Sequence, residues 1–149
     1  MNKKLQPIKS FALISLVLLS LTACKSVLGE ISEVKKSVVF PGVEHGAKYM
    51  KYTADFKVIK PLKINKVELL LPDKTILIDD YKIADKKANI VLPRKKPIQP
   101  GEYRFEADLL FSKELTAKGD RLKIQVESES GKTYELTAAI VEGKPIMRM

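Results

Sequence analysis

The chain has 149 residues, with 27 Lys+Arg against 18 Asp+Glu for a formal charge of +9, one Cys, one His and no Trp. That length holds one domain with at most a leader, and 45% hydrophobic with 30% charged residues excludes a disordered chain. A single cysteine excludes an intramolecular disulfide framework, and one histidine without a second cysteine excludes the usual zinc clusters, so no metal or cofactor is expected.

The first 23 residues have the three parts of a secretion signal. Lys3, Lys4 and Lys9 make a positive start with no acidic residue, and Phe11 to Leu21 is an apolar run of eleven. A membrane-spanning helix needs about 20, so the run is too short to serve as one. Leu21-Thr22-Ala23-Cys24 follows, and it resembles the lipobox of bacterial lipoproteins, in which leucine stands three before an invariant cysteine. The resemblance implies cleavage before Cys24, a diacylglyceryl thioether on its sulfur, and palmitate or a similar acyl chain on its new amine. The only thiol in the chain stands where that chemistry needs one. One acyl chain binds a bilayer reversibly, whereas two or three hold it in place. Lys25 follows where lipoproteins kept in an inner membrane usually carry Asp, which favours the outer membrane of a two-membrane envelope. Cleavage discards three basic residues and no acidic one, so the charge falls from +9 to +6.

Residues 24–36 are expected to be a lipid-attached tether, irregular or loosely helical, because Leu28, Ile31 and Val34 recur at helical spacing around Gly29. A domain is expected from 37 to 149, and there the period is two. Met50, Tyr52, Ala54, Phe56 and Val58 alternate with polar residues, as do Tyr103, Phe105, Ala107, Leu109 and Phe111. Leu122, Ile124 and Val126, then Tyr134, Leu136, Ala138 and Ile140, continue the pattern of strands with one buried face. Shorter strands fit 38–40, 66–71, 75–78, 81–83 and 88–92. Leu62 and Ile64 are out of phase with Val67, Leu69 and Leu71, so a bulge is expected near Asn65-Lys66. Pro-Gly and Gly-containing turns separate the runs.

About seven to nine such strands predict an all-β fold, an antiparallel two-sheet sandwich. Ile98-Gln99-Pro100-Gly101-Glu102-Tyr103 resembles the lead-in to the tyrosine-corner strand of immunoglobulin and fibronectin type III folds, which makes the expected sandwich immunoglobulin-like.

Little chemistry is written on this body. His45 is the only histidine, and no Gly-x-Ser-x-Gly elbow is present, so nucleophilic catalysis lacks its base and its setting. Asp79-Asp80 would face opposite ways on a strand, while Glu127 and Glu129 would share a solvated face about 7 Å apart. His45, Met50, Met147 and Met149 supply copper-type donors without the spacing of copper carriers, and Met50 falls in an inward phase. Lys57, Lys60, Lys63 and Lys66 cluster, as do Lys86-Lys87 and Arg94-Lys95-Lys96. Lys outnumbers Arg by 23 to 4, unlike sites that grip phosphate bidentately, and export removes the chain from nucleic acid. The expected function is therefore a non-enzymatic, lipid-anchored envelope protein that binds another protein, first through the turn at 41–46 or the loop at 93–101. The alternative is capture of a small ligand (sugar, lipid or metal ion) near His45 and Tyr49.

Overall fold

A computed structural model describes residues 27–148. It is all-β: ten strands and one short 3-10 turn (Lys113–Thr116), with no α-helix among the described residues. The strands are β1 (Gly29–Ile31), β2 (Val34–Phe40), β3 (Tyr49–Val58), β4 (Leu62–Leu70), β5 (Thr75–Leu77), β6 (Tyr81–Asp85), β7 (Gly101–Leu110), β8 (Arg121–Ser128), β9 (Thr133–Glu142) and β10 (Ile146–Met147).

They hydrogen-bond in the order β5-β4-β8-β9-β2-β3-β7-β6, with β1 on β3 and β10 on β2. The sheet is mixed, which corrects the antiparallel expectation. β2 runs antiparallel to β3 but parallel to β9 and β10. One strand thus joins two antiparallel groups. The inward side chains of both groups, Phe56 and Phe105 from one and Leu69, Ile124 and Leu136 from the other, meet in a single hydrophobic cluster. Burial of each such side chain contributes about 1.5–3 kcal/mol before entropy is counted.

The alternations read from sequence carry this core. Met50, Tyr52, Ala54, Phe56 and Val58 are all buried on β3, and Tyr103, Phe105 and Ala107 on β7. The expected bulge lies in β4, where the register with β8 slips between Ile64 and Lys66. It lets Leu62 and Ile64 enter the same core as Val67 and Leu69.

Two segments differ from expectation. Residues 24–36 were expected to be an irregular or helical tether, yet β1 and most of β2 lie there, and Leu28, Ile31 and Val34 are core residues. The i, i+3 spacing arises from two strands separated by a break. At that break Ser32 N–H donates to the Asp55 carbonyl, and Asp55 N–H donates to Ser32 Oγ at 2.8 Å. The break resets the inward phase from odd to even positions, which imitates a helical period. The strand expected over 88–92 is reduced to one bridge between Ala84 and Val91. A turn takes its first half: Lys87 and Ala88 N–H groups donate to Asp85 Oδ1, and Asn89 sits at φ +54°.

Those two donors hold the Asp85 carboxyl below its usual range, Ala88 first and Lys87 second. A depressed folded-state pKa contributes stability that is present above the unfolded value and is lost as pH falls through the folded one. Asp85→Asn keeps the oxygen acceptor but no longer titrates. Thermal unfolding across acidic pH is expected to show a flatter acid limb for this variant than for the parent.

The Pro100-Gly101 lead-in to β7 is tied back to the chain before it by Tyr103. Tyr103 Oη donates to the Gln99 carbonyl four residues upstream at 2.7 Å. Burial pushes this hydroxyl's pKa up, and Asp85, its cross-strand neighbour, adds to the effect. Tyr103→Phe leaves the Gln99 carbonyl without that donor, and a loss of about 0.5–1.5 kcal/mol is expected by urea denaturation.

Candidate functional site

The two ends of β3 have different neighbours. β1 lies beside the Val58 end of β3, with Gly29 opposite Val58. The chain therefore enters the fold where β3 stops. The other end of β3, at Tyr49, is nine residue steps away, roughly 30 Å at strand rise.

At that far end, pairing in register sets one row of side chains on the outer face of the sheet. Ile146 is opposite Val39, Val39 opposite Tyr49, and Tyr49 opposite Leu110. Directly paired residues point the same way, so four adjacent strands present an apolar and aromatic row. Val39 is fully buried yet stands outside the main core cluster, so its neighbours cover it on this outer face. Leu110 is 74% exposed and Met147 70% exposed. Cations cap the rings around the row. The Arg148 guanidinium lies 5.4 Å from the Tyr49 ring centroid, and Lys48 Nζ lies 4.9 Å from Phe111 and 5.6 Å from Phe40.

His45 and Tyr49 both lie at this end. His45 is exposed in the 41–46 turn at φ +69°, and Tyr49 is half-buried at the start of β3 with Arg148 over its ring. The sequence reading missed Arg148 and Leu110, because only the register of β10, β2, β3 and β7 brings them beside Tyr49. The loop at 93–101 is at the opposite end of β7 and does not join them. Met50 is a core residue, and no group of three His, Cys, Asp or Glu able to hold a metal ion occurs among the described residues.

Beneath the far end sits a buried ion pair that the sequence reading also missed. Lys36, on β2 in phase with Val34, is 4% exposed, and Asp120, at the start of β8, is 2% exposed. Lys36 Nζ donates to Asp120 Oδ2 at 2.9 Å, to the Leu115 carbonyl at 3.0 Å and to the Ala117 carbonyl at 2.7 Å. Three acceptors match the three N–H bonds of an ammonium. Gly119, at φ +82°, turns the chain just before Asp120 and makes this approach possible. Asp120 Oδ1 and Tyr52 Oη are buried without hydrogen-bond partners among the described residues. Burial, with the Asp120 carboxylate second, pushes the Tyr52 hydroxyl far above its usual range. A cavity of about 270 Å³ opens over the pair, lined by Gly119, Ile140 and Glu142 among others. Drug-sized ligands usually occupy about 300–1,000 Å³ of mostly apolar space, and this floor is an ion pair whose ammonium already has its three acceptors. Its arrangement is that of a clamp between β2 and the 3-10 turn.

The basic residues do not form one patch. Lys66 pairs with Glu68 at 3.2 Å, Lys86 with Asp55 at 3.0 Å and Arg94 with Asp80 at 2.7 Å. Lys57 lies in register with Glu30 on one side and Glu102 on the other. Such exposed pairs contribute about 0–1 kcal/mol each. Among the described residues the edge strands are short or covered. β5 has three residues, and β6 is covered by backbone bonds from Asp85 N–H to the Ile90 carbonyl and from Leu92 N–H to the Ile83 carbonyl.

The signal segment, the lipobox residues Leu21, Thr22 and Ala23, and Cys24 lie outside the described residues. No helix among the described residues is long and apolar enough to cross a membrane. No protein-family model matches the chain, and no curated protein matches it.

Proposed function

We propose that the chain is a lipid-anchored cell-envelope protein, held by acyl chains on Cys24 and favoured for the outer membrane. Its body is an immunoglobulin-like sandwich that binds another protein without catalysis. Two strand groups around one core support the sandwich, as does the Tyr103–Gln99 bond. The corner here stands one strand earlier than in immunoglobulin folds, because two hairpin-linked strands, β8 and β9, follow β7.

The observation that carries the binding role is the row Ile146, Val39, Tyr49 and Leu110 at the end remote from the anchor. Exposed apolar side chains with aromatic and arginine neighbours are the composition of interaction surfaces. The short, covered edges leave this end as the better surface than strand addition. A photoreactive residue at Leu110 is expected to capture a discrete protein in living cells, while one at Leu77 on β5, also exposed, does not. The same products from both positions would remove the proposal.

A further inference from the structure

We propose, building on the lipid-anchor reading, that the near end of the molecule lies directly against the phospholipid surface holding its anchor, with Val27 and Ile59 as its contact points. The first described residues are fastened to the β3–β4 turn. Ile59 and Lys60 N–H groups both donate to the Leu28 carbonyl, at 2.8 and 3.2 Å, and the Leu28 side chain is buried in the core. Leu28 is thus fixed to the fold by both its carbonyl and its side chain.

Cys24 precedes Leu28 by four residues. Four fully extended residues reach at most about 14 Å. The acyl chains lie in the bilayer, so this turn is held within headgroup distance of it. At that place the protein carries two exposed apolar side chains, Val27 at 59% and Ile59 at 45%. Lys60 is exposed next to Ile59. Lys57 stands in register with Glu30 and Glu102, and Lys63 with Glu127, while Lys87 after β6 and Lys95-Lys96 of the 93–101 loop add exposed cations toward this end. The contact is accordingly apolar with lysines flanking it, a pattern suited to the headgroup–acyl boundary of an anionic surface. Resting this end on the bilayer points the row around Tyr49 and Leu110 away from it.

The chain has no Trp, so a single introduced indole reports one position. The full lipidated protein, as Ile59→Trp, Val27→Trp or Leu110→Trp, is reconstituted in phosphatidylcholine–phosphatidylglycerol vesicles whose acyl chains carry bromine. Ile59→Trp and Val27→Trp are expected to lose most of their emission and to shift to the blue, while Leu110→Trp keeps the emission it has without bromine. Equal quenching at both ends, or none at Ile59→Trp in protein that floats with the vesicles, overturns the proposal and leaves the anchor intact. Protein that neither floats nor carries acyl mass removes the anchor reading, and this proposal with it.

Discussion

Lys36→Met is expected to cost the fold about 3–5 kcal/mol, the range for breaking one side of a buried ion pair. The loss has two sources. Asp120, 2% exposed, keeps a charge with no donor, because Lys36 Nζ is its recorded side-chain partner and Oδ1 already has none. The Leu115 and Ala117 carbonyls lose the same donor. A domain of this size has about 5–15 kcal/mol in all, so the variant is expected to lose a large fraction of the total. Methionine nearly matches the aliphatic part of lysine, so lost packing is a minor contribution. Adding Asp120→Leu removes the stranded charge and is expected to restore part of the loss. Urea denaturation with an unchanged slope measures both. A single variant within about 1 kcal/mol of the parent would mean water reaches the pair through the cavity and screens it.

Cys24→Ala is expected to have an all-or-none effect on location. Without the thiol there is no thioether, and without the thioether no acyl anchor. Radioactive palmitate labelling is expected to vanish, and the protein to appear as an uncleaved precursor or in the soluble fraction. The fold should be unaffected, because among the described residues the core cluster runs from Leu28 onward. Unfolding midpoints of variant and parent in detergent are expected to coincide. Palmitate labelling that persists in the variant would show that another residue carries the lipid.

Strands with one wet face were legible, because alternation is a local property of the chain. β3, β7, β8 and β9 follow from their inward positions alone, and the phase slip at Asn65 announced the bulge in β4. The Pro100-Gly101 turn likewise marked the start of β7. What was hidden depends on residues far apart. The parallel pairing of Val34–Lys36 with Ile140–Glu142 joins the two ends of the chain and leaves no local trace. Together with the parallel β10–β2 pair, it turns the sheet from antiparallel to mixed.

The inward lysine at 36 was masked for a related reason. With 25–36 read as a tether, its phase had no meaning. Once Val34 is placed in the core, Lys36 must point inward and needs a carboxylate. The run Ile90-Val91-Leu92 misled in the other direction. It looks like a buried strand, but Ile90 and Val91 are exposed and serve as cover for the β6 edge. At the far end, His45 and Tyr49 were visible as residues, while the row they border was not, since it is assembled from four strands.

Whether the protein is a lipid-anchored module is decided by intact-mass spectrometry of the protein extracted from membranes. The expected species is a chain beginning at Cys24 and heavier than residues 24–149 by a diacylglyceryl group, with or without a further acyl chain. A chain of full length, or one cleaved elsewhere and bearing no lipid, would contradict the anchor reading.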